Sequence, residues 1–333
     1  MSDDVLLEVK DLTVRLNTPA GEIEPVSSVS FSLRRGRTLA LVGESGSGKT
    51  LTCLSLLRAA PANARVISGQ VRFEGEDLLG KSLEAMRQMR GERLAAVLQD
   101  ATTALDPLFT IGAQIGEAFR YGGTAPHRGP LQASVIAAMQ GVQIPAPEQR
   151  LHSYPHQFSG GMRQRAAMAM AMARKPTLLV ADEPTTALDA TIRLQMLRML
   201  RDAQQRQGMS ILFVTHDLQL VNYFCDDVAI MYAGRIVESG PVEQVFARPR
   251  HPYTISLLAA MPLLSRRAMR LAVIEGQPPA FTDMPGGCRF APRCPHADAQ
   301  CHAHYPPTQT VHAGWQAACW HQARLAVTEA VAA

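Results

Sequence analysis

LALVGESGSGKTLTCLSLL, residues 39–57, joins a short apolar run, a glycine-rich turn and leucines at helical spacing. This order predicts a strand, a loop and a helix. Within it, Gly43–Thr50 fits the pattern G-x-x-x-x-G-K-[ST], in which backbone N–H groups and a helix N-terminus surround phosphate groups. Lys49 adds a cation, and the hydroxyl group of Thr50 can ligate magnesium. We therefore predict a phosphate-binding loop here.

A second candidate site lies in LLVADEPTTALD, residues 178–189, where four apolar residues end in Asp182 and Glu183 before a proline that stops the strand. Asp182 can hold magnesium through water. Glu183 can orient and deprotonate an attacking water, since phosphoryl transfer depends on positioning more than on covalent chemistry. Acids at a strand end are by themselves more often solvated loop residues, but the phosphate loop favours the catalytic interpretation.

Two further polar side chains follow predicted strands. ILFV at 211–214 runs into Thr215, His216 and Asp217, and LAAVL at 94–98 ends in Gln99. Open parallel sheets bind ligands at the carboxyl ends of their strands. His216 is thus expected to face the same crevice, and the amide of Gln99 is expected to touch magnesium or water.

The bulk properties restrict the class of protein. The 333 residues are 47% hydrophobic, which is enough for a substantial core. The start lacks a signal segment, and the longest apolar runs stop at eight residues, so we expect a soluble, cytosolic protein. The net charge of +4 arises from 33 basic and 29 acidic residues spread along the chain, which speaks against a nucleic-acid partner.

Four of the six cysteines are clustered near the end of the chain: CRFAPRCPHADAQC covers residues 288–301, and Cys319 follows. In a reducing compartment such clusters bind metal or do redox chemistry more often than they form disulfides. The intervals of five, six and seventeen residues match neither a zinc ribbon nor a C-x-x-C redox pair. Cys53 and Cys225, in predicted core helices, are expected to be inert.

HQFSGGMRQRAAMAMAMA, residues 156–173, adds a Ser-Gly-Gly turn that opens a long helix, whose methionines are expected in the core. In the sequence this turn lies between Gln99 and the Asp182–Glu183 pair. The Ala187-Leu188-Asp189 segment and then His216 follow that pair. With the phosphate loop at the start, this order of motifs resembles the ATPase subunit of an ABC transporter. The implied fold is an α/β P-loop NTPase of ABC type, with a RecA-like core, an antiparallel β subdomain and a helical subdomain.

The resemblance implies roles for single residues. Two ATPase subunits would sandwich two ATP molecules, with the Ser159, Gly160 and Gly161 turn of one subunit capping, in trans, the phosphates bound by the other. The catalytic residues would be Glu183, His216 and Gln99, the magnesium ligands Thr50, Gln99 and Asp182, and Asp189 would lie in a dimer-contact loop. The residues expected to bind ATP are Leu16, Gly43, Ser45, Gly46, Ser47, Gly48, Lys49, Thr50 and Leu51.

Two positions depart from the family pattern. Met162 stands where the signature usually ends in glutamine, and Leu16 replaces the aromatic residue that stacks on adenine. Leu16 can still pack on the base, with less stacking energy.

His251-Pro252-Tyr253, the upstream YPHQFSGGM and the tail CRFAPRC resemble the ATPases of the dipeptide and oligopeptide importer family. Residues 1–245 would form the ATPase domain, with a helical subdomain at about 100–165, and residues 246–333 a small, loop-rich, metal-bound region. In this family the cysteine arrangement holds a 4Fe-4S cluster. Zinc is the alternative, aided by His296, His302 or His304.

The resemblance also implies partners: a sister ATPase, two membrane permease subunits and an extracytoplasmic solute-binding protein, at the cytoplasmic face of the bacterial inner membrane. An importer of nickel, opine or another small solute would share this ATPase pattern. A soluble ABC protein acting on ribosomes or DNA usually has two ATPase modules or a long coiled coil, which are not seen here. The cysteine region is expected to be structural and dispensable for ATP chemistry, because no phosphate-binding motif lies beyond residue 217.

Overall fold

The computed structural model describes residues 4–99, 104–120, 128–185, 188–261 and 274–328. Its strands are β1 (Val5–Thr18), β2 (Gly21–Arg34), β3 (Thr38–Val42), β4 (Ala64–Phe73), β5 (Glu76–Asp77), β6 (Leu94–Val97), β7 (Leu178–Asp182), β8 (Ser210–Thr215), β9 (Asp227–Tyr232), β10 (Arg235–Pro241), β11 (Gln309–His312) and β12 (Trp315–Ala317).

Its helices are α1 (Lys49–Leu56), α2 (Leu83–Glu92), α3 (Ile111–Arg120), α4 (Arg128–Gly141), α5 (Pro147–Arg150), α6 (Gly160–Met172), α7 (Ala190–Gln207), α8 (Leu218–Phe224), α9 (Val242–Ala247), α10 (Pro252–Ala259), α11 (Ala299–Ala303) and α12 (Gln322–Thr328). Within the described ranges, none of these helices is both long enough and apolar enough to span a membrane.

The chain divides into two compact units, each built from separate stretches of sequence. The first unit comprises Met1–Leu6, Leu33–Thr38 and Gly80–Val214, and the second comprises Leu7–Ser32, Leu39–Leu79 and Thr215–Ala333. This division reflects which residues lie close together in space, and it does not test the boundaries expected from the sequence. The domain boundary at residue 245 and the helical subdomain at about 100–165 stay predictions.

The first unit contains three parallel strands in the order β6, β7, β8. Strands β7 and β8 are buried along their whole length, as expected for continuous apolar runs at the centre of a parallel sheet. Val97 of β6 stands opposite Ala181 of β7, and Asp182 of β7 stands opposite Val214 of β8. The three strands therefore end at one edge, which brings the residues that follow them together.

Helices α3, α4 and α6 of the first unit pack against one another in pairs. Their contact surfaces are apolar, with Ile115 from α3, Met139 from α4 and Met168 from α6 fully buried. The methionines of α6 were expected in the core. Met168 is buried as expected, whereas Met170 is only half-buried. This packing fixes the direction of α6, which begins at the Ser-Gly-Gly turn.

The second unit contains two sheets. An antiparallel sheet has the strand order β2, β1, β4, β5, and a mixed sheet has the order β11, β12, β10, β9, β3 within this unit. In the mixed sheet β3 and β9 are parallel, with Leu41 opposite Ala229, and β9 and β10 are antiparallel. Strand β3 leads directly into the phosphate loop.

The core of the second unit draws on residues before and after position 245. Its buried members include Val42 of β3, Ile230 and Tyr232 of β9, Tyr253 of α10, Phe290 and Trp315. The cysteine-rich segment, residues 288–319, thus packs on the same core as β3, the strand that leads into the phosphate loop.

A buried carboxyl group anchors this segment to β10. Glu238 accepts hydrogen bonds from the backbone N–H groups of Arg250 and His251, at 2.8 and 3.0 Å, and from the indole N–H of Trp315, at 3.0 Å. Burial raises the pKa of Glu238 to about 7. One side chain of β10 therefore fixes the entry to α10 and the beginning of β12.

Candidate functional site

The phosphate loop turns tightly between β3 and α1. Gly46 and Gly48 have φ angles of 78° and 101°, in the left-handed region that favours glycine. A Cβ atom on Gly48 would lie 2.2 Å from the carbonyl oxygen of Pro25, and one on Gly43 would lie 2.1 Å from that of Met231. The glycines at these two positions thus let β2 and β9 approach the loop backbone.

Lys49 lies inside the curve of the loop. Its side-chain amine donates hydrogen bonds to the carbonyl oxygens of Gly43 and Glu44, at 2.8 and 2.9 Å, and lies 3.4 Å from the hydroxyl oxygen of Ser47. Lys49 and Ser47 are buried, whereas Ser45 and Gly46 are exposed. The loop therefore presents backbone to solvent and surrounds a fixed positive charge.

The first turn of α1 starts at this loop. Thr50 is exposed there, Leu51 is half-buried, and the turn contains no acidic residue. The unpaired N–H groups and the dipole of a helix N-terminus attract anions. The arrangement can therefore bind a phosphate chain, with the hydroxyl group of Thr50 accessible to a cation.

The acidic pair lies at the end of β7 in the first unit, with Asp182 as the last residue of the strand and Glu183 directly after it. Asp182 is 1% exposed, and Glu183 adopts a left-handed backbone conformation with a φ of 46°. The N–H of Glu183 donates to the carbonyl oxygen of Val214 at 2.9 Å, and the Gln99 amide donates to the Glu183 carboxylate at 3.2 Å. Two of the predicted catalytic side chains, from β6 and β7, are thus in direct contact.

His216 and Leu16 belong to the second unit. His216 is exposed immediately after β8, and its neighbour Asp217 caps α8 by accepting the N–H of Gln219 at 2.9 Å. Leu16 is half-buried on β1, opposite Ala64 of β4. Each predicted residue therefore has a defined place, at the end of a strand or on a sheet.

The Ser-Gly-Gly turn forms the N-terminus of α6. The hydroxyl oxygen of Ser159 accepts the N–H of Met162 at 3.3 Å, so Ser159 is the N-cap. A Cβ atom on Gly160 would meet nothing within 4 Å, whereas one on Gly161 would touch Leu188 at 3.4 Å. Ser159 and Gly160 are exposed, so this helix end is accessible to another molecule.

Asp189 caps the next helix. Its carboxylate accepts the N–H of Ile192 at 3.0 Å and so starts α7. Ala187, the first residue of the motif that contains Asp189, lies outside the described residues.

The four clustered cysteines, Cys288, Cys294, Cys301 and Cys319, line one cavity in the second unit. None of the six cysteines, all of which lie in the described residues, forms a disulfide. The N–H of Cys288 donates to the carbonyl oxygen of Cys301 at 2.8 Å, which closes the segment between them into a loop. Backbone hydrogen bonds and short turns thus bring these thiols to the same cavity.

The spacing of the sulfur atoms bears on the metal. Among the residues that the structure describes, no three of these sulfurs lie within 4.8 Å of one another. Zinc bound by four thiolates at about 2.3 Å would hold the sulfurs about 3.8 Å apart. Four thiolates are the ligands of a structural zinc ion and of a 4Fe-4S cluster alike, so the ligand types fit both metals.

A histidine that the sequence analysis did not single out lies at this cavity. His321 Nε2 is 3.6 Å from the sulfur of Cys301 and 3.1 Å from the carboxylate of Asp298, which also caps α11. The three residues form a group of possible metal ligands. The histidines named as helpers for zinc, His296, His302 and His304, are exposed instead.

Burial raises the pKa of all four thiols. The pKa of Cys319 rises to about 12, and those of Cys288, Cys294 and Cys301 also rise. At neutral pH the thiols keep their protons unless a metal displaces them. The donor set therefore suits a thiolate-bound metal and not a reactive free cysteine.

Tyr253 and Arg293 contact the phosphate loop, although the sequence analysis gave them no role there. Both belong to motifs that it quoted, HPY and CRFAPRC. No short pattern signals a contact over some two hundred residues, so this part of the site could not be found by motif reading.

Comparison with known families gives two matches. Residues 26–186 match the model of the family described as "ABC transporter", and residues 237–301 match "Oligopeptide/dipeptide transporter, C-terminal region". The two matches include the phosphate loop, the Ser-Gly-Gly turn, the acidic pair and three of the four clustered cysteines.

Curated proteins resemble the chain over nearly all its length. A peptide import ATP-binding protein of Brucella ovis is 45% identical, and the match spans 97% of this chain and 99% of that protein. The dipeptide transport ATP-binding protein DppD of Lactococcus lactis is 44% identical over 88% of this chain and 84% of its own length.

Solved structures share the fold over about seven tenths of the chain. A dimeric structure of the ATP-binding cassette MJ0796 bound to ADP and Pi has a TM-score of 0.65 at 21% identity, covering 71% of this chain and 98% of that one. CbiO1 of Clostridium perfringens has a TM-score of 0.62 at 24% identity, covering 73% and 91%. At this level of identity the likeness concerns the fold alone.

Proposed function

Because the chain belongs to the ATP-binding subunits of ABC transporters, we propose that it hydrolyses ATP to energise the import of dipeptides or oligopeptides. The observation that supports the solute class is the match of residues 237–301 to the C-terminal region of oligopeptide and dipeptide transporters. The relatives that match over almost the whole chain are named for peptide import and dipeptide transport.

The phosphate loop binds the triphosphate in this proposal. The backbone of Gly43–Gly48 and the N-terminus of α1 surround the phosphates, and Lys49 supplies a positive charge. Leu16 packs on adenine, and Leu51, in the first turn of α1, also contacts the nucleotide. The buried position of Lys49 within the loop supports this role.

Glu183 serves as the general base for the attacking water. The hydrogen bond from Gln99 supports the role, because it orients the carboxylate without adding charge. Thr50, Gln99 and Asp182 offer the oxygen ligands that Mg²⁺ prefers, and the ion would neutralise charge on the phosphates. His216 completes the catalytic set by contacting the γ-phosphate or the water.

The Ser-Gly-Gly turn acts on ATP bound to a sister ATPase. The exposed N-terminus of α6, with Ser159, Gly160 and Gly161, offers N–H groups to the γ-phosphate, and Asp189 contributes to the contact between the two subunits. The further partners are two permease subunits and an extracytoplasmic peptide-binding protein. The chain then works at the cytoplasmic face of the bacterial inner membrane.

Cys288, Cys294, Cys301 and Cys319 hold a 4Fe-4S cluster in this proposal. The cavity that all four cysteines line supports a shared metal group with four thiolate ligands. The cluster would supply four strong Fe–thiolate bonds that staple a segment poor in regular structure.

The metal is tested on protein purified without oxygen. Iron and acid-labile sulfide are expected in equal amounts in the wild type, and Cys294→Ser is expected to lose both. Cys225→Ser is the matched control, because Cys225 lies outside the cavity, and it is expected to retain them. Stoichiometric zinc without sulfide would contradict the proposal.

The function is tested by uptake of a labelled dipeptide in cells that carry Glu183→Gln in this chain. Turnover of ATP is expected to fall about 10²- to 10⁴-fold, the usual contribution of a positioned general base, while ATP binding persists. Peptide uptake should fall with it. The control Glu84→Gln removes a carboxylate that is 68% exposed on α2 and should have no effect.

The uptake experiment also distinguishes the solutes. Loss of nickel uptake with unchanged dipeptide uptake would contradict the solute class but leave the ATPase assignment standing. Normal ATP turnover in Glu183→Gln would contradict the role of Glu183.

A further inference from the structure

The phosphate loop contains an acidic residue, Glu44, directly after Gly43. A carboxylate at this position is unexpected, because the loop binds a polyanion and like charges repel. The Glu44 side chain is only 25% exposed, and both of its oxygens contact Arg293, at 2.9 and 3.1 Å. The geometry is bidentate, the strongest form of an arginine–carboxylate pair.

Arg293 is itself held rigidly. Its side chain is 5% exposed, and its guanidinium group donates to the carbonyl oxygens of Glu275 and Ile274 and to the hydroxyl oxygen of Tyr232, at 3.0, 3.3 and 3.2 Å. The guanidinium group that binds Glu44 therefore cannot move away without breaking these hydrogen bonds. Removing one partner of such a pair leaves the other charge partly buried and uncompensated, which costs more than breaking a surface pair.

A second residue of the same region holds the loop backbone. The N–H of Glu44 donates to the hydroxyl oxygen of Tyr253 at 2.9 Å. Tyr253 is fully buried, and its ring packs against Tyr232 with ring centroids 4.6 Å apart. The backbone and the side chain of Glu44 are thus both fixed by residues beyond position 245.

We propose that Arg293 is a positioning residue of the ATP site, which binds the carboxylate of Glu44 and keeps its charge from opposing the triphosphate. The inference rests on the proposed binding of ATP at this loop. On this proposal the region that contains the cysteines is not dispensable for ATP binding, in contrast to the expectation from sequence, because Arg293 precedes Cys294 and contacts the loop.

The experiment measures the dissociation constant for MgATP of the purified full chain. Arg293→Met removes the charge and keeps most of the side-chain volume, so Glu44 is left unpaired beside the phosphates. We expect MgATP to bind about tenfold more weakly, equivalent to about 1.4 kcal/mol. In the assembled transporter KM should rise by a similar factor, while kcat changes less than about twofold, since the chemistry is untouched.

The decisive variant is the double change Arg293→Met with Glu44→Gln. If the charge of Glu44 causes the defect, removing that charge restores the affinity to within about twofold of the wild type. A role of Arg293 only in packing of the segment predicts no such rescue. A double variant as weak as Arg293→Met would therefore overturn the proposal, as would an Arg293→Met protein with wild-type affinity.

Arg250→Met is the matched control. Arg250 belongs to the same region, donates to the carbonyl oxygen of Gln322 and lies over the ring of Trp315. The Arg250→Met protein should bind MgATP with the same affinity as the wild type.

Should Arg293→Met fail to fold, Glu44→Gln alone still tests the idea. It should bind MgATP at least as tightly as the wild type, and weaker binding would contradict the proposal. Lys49→Ala tests the premise separately: if its affinity is unchanged, ATP does not bind at this loop and the proposed function fails, whatever Arg293 does.

Discussion

Gly48 shows at the scale of single residues why the phosphate loop tolerates few substitutions. Its φ of 101° disfavours any side chain, and a Cβ atom would lie 2.2 Å from the carbonyl oxygen of Pro25. Gly48→Ala is therefore expected to lower the melting temperature and to weaken MgATP binding, because both the loop and β2 must shift. Thermal unfolding and an ATP titration measure the two effects.

Gly208 provides the control for the backbone strain alone. It has a φ of 66° at the end of α7, and a Cβ atom there would meet nothing within 4 Å. Gly208→Ala should thus cost only the left-handed strain, about 1–2 kcal/mol, and leave ATP binding intact. Equal losses of stability in the two variants would show that the contact with Pro25 is unimportant.

Residue types could be predicted at the site, but backbone conformations could not. Glu183 was expected to follow β7, yet no pattern signals its φ of 46° or the hydrogen bond to Val214 that accompanies it. Non-glycine residues in this region are strained and are found preferentially at functional sites. Eight other described non-glycine residues also have a positive φ, so this conformation does not by itself mark Glu183 as catalytic.

At the scale of elements, α6 has an N-cap with two possible tasks. Ser159 caps the helix through the N–H of Met162, and it is also proposed to contact ATP on a sister subunit. Ser159→Asp separates the tasks: aspartate is an equally good cap, but its charge opposes the γ-phosphate. We expect an unchanged melting temperature and an ATPase rate at least tenfold lower in the assembled transporter, equivalent to about 1.4 kcal/mol of barrier or more.

The same change at another helix serves as the control. Ser82 caps α2 by accepting the N–H of Ala85 at 3.1 Å. Ser82→Asp should keep both stability and ATPase activity. Normal activity of Ser159→Asp would argue against action of the turn in trans.

Elements with strong patterns were predictable and weak ones were not. The strands expected at 94–98, 178–181 and 211–214 are observed as β6, β7 and β8, and the helix after the Ser-Gly-Gly turn is α6. Long apolar runs and helical periodicity dominate local structure there. Strand β12 has only three residues, and its pairing with β10 depends on tertiary contacts such as that of Trp315 with Glu238.

At the scale of the whole molecule, the fold class inferred from the order of motifs is confirmed by the family matches and by the likeness to solved ATP-binding cassettes. The part that sequence missed is the link between the cysteine-rich segment and the phosphate loop. Sequence motifs involve residues that are close along the chain. This link instead depends on side chains that are far apart in sequence and are brought together because their elements pack on one core.

The ion pair of Glu44 and Arg293 joins residues 249 positions apart, which has a consequence for the protein's synthesis. A ribosome adds about 5–20 residues per second, so roughly 12–50 s separate the two residues during translation. Throughout that interval the nascent chain carries a phosphate loop whose glutamate lacks its arginine. On the proposal made for Arg293, a translation product that stops before this residue binds ATP poorly. Such a product is therefore a weak competitor of full-length subunits for nucleotide.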